Sequence, residues 1–141
     1  MRRLFTTLLA LAAVAGCLSS AAQAVDGTDQ RPPIMVVTMD KTQTTRSTFV
    51  LTVFADEDTN VVVTGSLAPI VRGGERIPIA PAAVTVPAGQ TLTFRTRLGA
   101  AAASALKKAK LSKTRLRFVG TDAADNPTVK STHLVLKYKR K

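Results

Sequence analysis

The sequence predicts an all-β domain, and three observations support that class. Hydrophobic residues make up 45% of the 141-residue chain but aromatic residues only 4%, so much of the apolar content is valine and alanine. Valine and the many threonines are β-branched and fit a pleated, half-buried strand. Glycine and proline divide the chain into short apolar segments, which is typical of short strands joined by turns. Without an export segment, roughly a hundred residues remain, enough for one core.

The first 24 residues, MRRLFTTLLALAAVAGCLSSAAQA, have the order of a secretory signal peptide. Two arginines precede an apolar run, and the small residues Ala22 and Ala24 match the cleavage pattern. The run is shorter than the ~20 apolar residues that cross a bilayer core. We therefore expect cleavage before Val25, a secreted or extracytoplasmic protein, and no transmembrane span in the mature chain.

A second processing signal overlaps the first, because VAGC at residues 14–17 resembles a bacterial lipobox. Cys17 would then be the lipidated first residue, and the protein a lipid-anchored envelope component. Cys17 is also the only cysteine in the chain. A chain cleaved before Val25 would contain none, so the domain must be stable without disulfides.

Strands punctuated by turns follow along the mature chain. Residues 25–33 are predicted to be a flexible leader, and residues 34–39, 47–55 and 60–67 to be the first three strands. A hairpin is predicted over residues 70–80, with its turn at Gly73 and Gly74. Two strands flank the turn at residues 87–89, and two more cover residues 114–121 and 128–139. We expect seven or eight of these segments to form short strands.

Residues 99–111, GAAAASALKKAKL, predict one short helix. Alanine and leucine are strong helix formers, and lysines near the end complement the helix dipole. Leu98, Ala102, Leu106 and Ala109 recur at helical spacing and should cover one edge of the core. A membrane-surface helix is the alternative, but it would need bulky apolar residues where this segment has alanine.

About seven strands with one late crossover helix predict an immunoglobulin-like β-sandwich over residues 34–141. Residues 92–137 are similar to the C-terminal half of the immunoglobulin-like repeats of secreted bacterial proteins, particularly actinobacterial ones. In those repeats a strand, an alanine- and lysine-rich segment, and a strand ending in Thr-Asp-Ala-Ala-Gly-Asn follow in this order. This chain has Asp125 where the family usually has glycine. The resemblance implies a non-enzymatic adhesion, spacer or binding module.

Positive charge is concentrated in the C-terminal half. Residues 95–141 hold 13 basic and two acidic side chains, whereas residues 25–94 hold five basic and seven acidic ones. Strand alternation places many of these cations opposite the apolar residues, and hence on the surface. The residues predicted to bind a polyanion are Arg95, Arg97, Arg115, Arg117, Lys137 and Lys139.

Outside a bacterial cell, such a surface would attract teichoic acids, acidic glycans, anionic lipid headgroups or extracellular DNA. A protein partner is an open alternative, and so is a role limited to solubility and edge-strand protection. Sequence-specific nucleic-acid binding is not expected, because Tyr138 is the only tyrosine, tryptophan is absent, and exposed aromatics for base stacking are missing.

The stretch TDAADNPT, residues 121–128, predicts a turn between the last two strands. Aspartate and asparagine hydrogen-bond their own downstream amides, and Pro127 stops a strand. A calcium site is the alternative, because a second acidic loop, DEDTN, should lie at the same end of the sandwich. The candidate calcium ligands are Asp56, Asp58, Asp122 and Asp125, with Glu57, Asn60 and Asn126 nearby. No other cofactor is predicted.

Catalytic chemistry is not predicted. His133 is the only histidine and lies in a predicted strand. A Ser-His-Asp triad would need a recognisable nucleophile turn around a serine, and none is present in the sequence. We therefore expect an ordinary strand histidine and a protein that is not an enzyme.

Overall fold

The computed structural model describes residues 29–140, which contain nine β-strands and one α-helix. The predicted signal peptide, the candidate lipidation site Cys17 and the predicted mature start at Val25 lie outside the described residues. Residues 29–33 of the predicted leader contain no helix or strand. The strands are β1 Met35–Thr38, β2 Thr42–Thr45, β3 Thr48–Ala55, β4 Thr59–Leu67, β5 Ile77–Pro78, β6 Ala82–Val86, β7 Gln90–Arg97, β8 Leu111–Thr121 and β9 Pro127–Tyr138; the helix is α1 Ala100–Ala109.

The strands form two sheets that face each other across one core. The smaller sheet has the order β1-β3-β7, and the larger has the order β2-β9-β8-β4-β5, with β6 also pairing with β4. All pairs are antiparallel except β2 with β9. The chain passes from β7 in the smaller sheet through α1 to β8 in the larger one. This arrangement confirms the predicted immunoglobulin-like sandwich with a late crossover helix.

Strict alternation along three strands builds the centre of the core. Phe49, Leu51 and Val53 face inward from β3, and each is at most 1% exposed. They share the core with side chains of β8 and β9 that are at most 2% exposed, namely Leu116, Phe118, Leu134 and Leu136. Residues between these positions point outward, as the two-residue period of a strand requires.

The helix packs on one edge of this core. Leu98, Ala102 and Leu106 are fully buried, as their helical spacing predicts. The prediction was wrong for Ala109, which is exposed, whereas Ala105 is buried. Residues 107–109 are all exposed, because the last turn extends beyond the core before the chain turns into β8.

Strand β2 was not predicted. Its sequence, TQTT, has no apolar residue, so the alternation that marks the other strands is absent. The side chain of Gln43 accepts from the Val50 N–H (2.8 Å) and donates to the Val50 carbonyl oxygen (2.7 Å). The pairing of β1 with β3 ends at Thr52, so β1 does not reach Val50. The side-chain amide of Gln43 therefore makes the two hydrogen bonds that a neighbouring strand would make there.

The predicted hairpin over residues 70–80 was wrong in its pairing. A turn is present, since the Gly74 N–H donates to the Val71 carbonyl oxygen (3.0 Å), but residues 70–72 form no strand. Strand β5 pairs instead with the end of β4. It has only two residues, and Pro78 cannot donate a ladder hydrogen bond.

Candidate functional site

The outer side of the larger sheet carries a cluster of cations, which we call the basic face. Its members alternate with buried residues along β8 and at the end of β9, and all are exposed. The basic face consists of Lys113, Arg115, Arg117 and Lys137. On β8, successive members lie two residues apart, which places them ~6.8 Å from each other along the strand.

Strand pairing determines the surroundings of Arg115 at the centre of this face. Arg115 lies opposite Ser66 on β4 and opposite His133 on β9. Its Nε donates to Nε2 of His133 at 3.4 Å. Arg76 reaches the same row from the loop before β5, since its Nε donates to Oγ of Ser66 (2.7 Å) and its Nη2 to the Ser66 carbonyl oxygen (2.8 Å). Arg76 therefore adds a fifth cation at the margin of the basic face.

No carboxylate neutralises these cations within residues 29–140. Besides the cations, the outward positions of β2, β4, β6, β8 and β9 hold His133, uncharged polar residues and small or aliphatic residues, but no acidic residue. The single salt bridge of the described residues joins Arg31 to Asp56, 3.9 Å apart, in the segment before β1 and the loop after β3. The basic face consequently presents uncompensated positive charge.

The six residues predicted to bind a polyanion do not form one surface. Arg95 and Arg97 lie on the outer side of the smaller sheet, opposite Val50 and Thr48. Lys139 follows β9 and lines a shallow groove together with Arg46 and Arg95. Only Arg115, Arg117 and Lys137 share the basic face.

Lys113 and Arg76 were missed by the sequence analysis. The alternation that identified Arg115 extends to Lys113, so a longer predicted β8 would have included it. No sequence signal relates Arg76 to Ser66, because their contact depends on how the loop before β5 folds back on β4.

The stretch TDAADNPT folds as a turn organised by Asp122, which is only 5% exposed. Its Oδ1 accepts from the N–H groups of Ala124 and Asn126, both at 2.8 Å, and its Oδ2 accepts from Nδ2 of Asn126 at 2.9 Å. Burial opposes ionisation, but these hydrogen bonds outweigh it and lower the pKa of Asp122 below its ordinary value of 3.8. Asp125 has a φ of 62°, which glycine adopts freely and aspartate tolerates. The aspartate at this position is therefore compatible with a turn.

Three carboxylates converge at this end of the sandwich. Oxygens of Asp29, Glu57 and Asp122 all lie within 4.8 Å of one another. Burial raises the pKa of Glu57 above its ordinary value of 4.5, and the negative charges of Asp122, Asp29 and Asp56 raise it further, while Arg31 acts in the opposite direction. The two acidic loops were predicted to converge, and they do so through one residue each, Glu57 and Asp122. Asp29, from the segment before β1, lies beside both.

The other candidate calcium ligands make contacts elsewhere. Oδ1 of Asp56 accepts from the Ile34 N–H (2.7 Å), and Oδ1 of Asp58 accepts from the Ala88 N–H (2.8 Å). Asn60 accepts from the hydroxyl of Thr85 (2.8 Å), and Asp125 is exposed in the turn. The contacts of Asp56 and Asp58 tether loops, whereas the contact between Asn60 and Thr85 joins the paired strands β4 and β6. Calcium binding stays the alternative to a plain turn, and none of these contacts tests it.

Comparisons with known proteins give no functional assignment. No family model matches the chain, and no curated protein matches it. Among solved structures, the chain is similar to murine CRIg (9% identity, TM-score 0.42, 78% of this chain and 100% of that chain). It is also similar to superoxide reductase (neelaredoxin) from Ignicoccus hospitalis (11% identity, TM-score 0.41, 81% and 86%) and to a β-glucosidase from Listeria innocua (13% identity, TM-score 0.37, 77% and 17%). Likenesses this distant carry no argument about function, and the fold rests on the strand order and pairing described above.

Within the part of the chain that the structure describes, no helix is both long and apolar enough to span a bilayer.

Proposed function

We propose that this immunoglobulin-like domain is a non-catalytic binding module that docks to a polyanion of the cell envelope through its basic face. The proposal rests on the uncompensated cations of the basic face. Three lie along β8, Lys113, Arg115 and Arg117, and Lys137 lies on the neighbouring β9. A sheet face with cations at every second residue of a strand suits a ligand with repeated negative charges, such as a teichoic acid or an acidic glycan.

The aromatic side chains support recognition by charge. Among residues 29–140, Phe49 and Phe118 are buried, and Phe54, Phe94 and Tyr138 are half-buried. Stacking on exposed aromatic rings is the usual means of gripping bases in single-stranded nucleic acid. The basic face offers cations and hydroxyl groups instead, so the proposal does not extend to sequence-specific nucleic-acid binding.

The location of the protein is part of the same proposal. We propose that the chain is exported, belongs with the secreted actinobacterial-type repeats that residues 92–137 resemble, and is released after cleavage before Val25. The alternative is attachment through a lipidated Cys17. The mass of the mature protein distinguishes the two, because a diacylglyceryl-modified Cys17 and a free Val25 amine give different values.

Salt dependence of binding tests the docking proposal directly. If four cations contact phosphates, affinity for inorganic polyphosphate should fall roughly 50- to 150-fold between about 50 and 200 mM salt. A pull-down with isolated cell-wall fractions at the same salt concentrations would show which envelope component is retained. Binding that does not respond to salt would rule out the basic face as the docking surface.

A further inference from the structure

Half of strand β9 forms an open edge of the larger sheet. β8 pairs with β9 along residues 127–137, whereas β2 pairs only with residues 135–138. Within the described part of the chain, residues 128–134 therefore have a strand on one side and none on the other.

Hydrogen bonds at the end of β9 show which backbone groups face this edge. The Val135 N–H donates to the Lys41 carbonyl oxygen (2.8 Å), on the side away from β8. The register between β8 and β9 is continuous, so backbone groups alternate sides without interruption along the strand. The residues that present both N–H and C=O to the open edge are Val129, Ser131 and His133.

An apolar groove lies between this edge and β1, the edge strand of the smaller sheet. It has a volume of about 690 Å³ near the end of β1, and it continues along β9 past Thr132. Its apolar lining comes from Val37, Met39, Leu134 and Val135. A strand added beside β9 would point every second side chain into this groove, which is how strand addition obtains specificity.

The charges around the groove are complementary to an acidic ligand. Lys41 and Lys113 line its larger part, and Lys130 lines its continuation. No carboxylate is among the lining residues of either part. Side chains of an added strand that point away from the groove would approach the basic face.

We propose that the open edge of β9 binds an extended acidic segment of a partner protein by β-strand addition. This inference goes beyond polyanion docking, because it requires backbone hydrogen-bonding groups in the ligand as well as negative charge. A second copy of this chain is a poorer occupant, because two β9 edges would bring lysine-bearing strands together.

Two synthetic octapeptides of equal charge separate strand addition from charge attraction. One alternates glutamate with valine, and the other alternates glutamate with proline, which lacks the N–H donor. We expect the Glu-Val peptide to bind at least about tenfold more tightly. It should also slow amide hydrogen exchange at Val129, Ser131 and His133. Equal binding of both peptides with a steep salt dependence would overturn strand addition and leave polyanion docking intact.

A matched pair of variants at one position completes the test. Ser131→Pro removes an N–H from the open edge but no ladder bond to β8, and Ser131→Ala keeps that N–H. The alanine variant should retain the preference for the Glu-Val peptide, and the proline variant should lose it while still binding polyphosphate. If circular dichroism shows that Ser131→Pro unfolds, Lys130→Glu replaces it and should weaken Glu-Val binding about tenfold. Absence of added protection at the three wild-type amides contradicts the proposal whatever the variants do.

Discussion

Replacing Phe118 with alanine tests the packing that holds the basic face in position. Phe118 is fully buried on β8, between Arg117 and the half-buried Val119. Removing the ring loses its transfer free energy, about 1.5–3 kcal/mol, and leaves a cavity that adds roughly 24 cal/mol for each Å³ that does not collapse. The expected total is about 3–5 kcal/mol.

This loss should leave a folded but weakened domain, since domains of this size have unfolding free energies of about 5–15 kcal/mol. Urea titration followed by far-UV circular dichroism measures the change, and the melting temperature should fall by roughly 10–30 °C. The matched control is Val119→Ala, on the outer side of the same strand, which should cost less than about 1 kcal/mol. If Phe118→Ala lowers the free energy of unfolding as little as Val119→Ala does, the assignment of Phe118 to the inner side of β8 is refuted.

The acidic end of the sandwich should respond to pH, to removal of charge and to calcium in distinct ways. Because the pKa of Asp122 is lowered, its ionised form stabilises the folded state above about pH 3.8, and that contribution is lost as the pH falls further. When the free energy of unfolding is measured against pH, the wild type should therefore show this Asp122 contribution to acid destabilisation, and Asp122→Asn should lack it. Because the pKa of Glu57 is raised, its charge destabilises the folded state as the pH rises above 4.5; Glu57→Gln should therefore raise the melting temperature at pH 7, and a decrease would contradict the repulsion. Calcium should leave the wild-type melting curve unchanged, because both oxygens of Asp122 already accept hydrogen bonds within the turn; a rise in melting temperature that Asp122→Asn abolishes would establish a calcium site.

Alternation made the core and part of the basic face predictable from the sequence. Along β8, Leu116 and Phe118 alternate with Arg115 and Arg117, so burying one pair exposes the other. The same rule gave the correct outward direction for Arg95, but alternation does not say to which sheet a strand belongs. Sheet membership depends on pairing between distant segments, and Arg95 consequently lies on the opposite side of the sandwich from Arg115.

Segments without an apolar pattern were the least predictable. Strand β2 has only threonine and glutamine and is held by its parallel pairing with β9. The acidic loops were expected at one end, but the roles of Asp56 and Asp58 depend on N–H groups of Ile34 and Ala88, which are distant in sequence. Contacts of this kind form only when distant segments meet in the folded domain, so no local sequence motif predicts them.

The most direct test of the docking proposal compares two double variants that remove the same charge from opposite sides of the sandwich. Arg115→Gln with Arg117→Gln changes the basic face, and Arg95→Gln with Arg97→Gln changes the smaller sheet. The two outer faces are separated by ~10 Å between the sheets plus the side chains on both sides, more than the Debye length of ~8 Å at physiological ionic strength.

Binding to inorganic polyphosphate, measured as a function of salt, should therefore distinguish them. The basic-face variant should weaken binding and lower the slope of log affinity against log salt by roughly 1.4–1.8, as expected for two lost phosphate contacts. The smaller-sheet variant should leave that slope unchanged. Equal losses in both variants, or a loss only in the smaller-sheet variant, would contradict docking through the basic face.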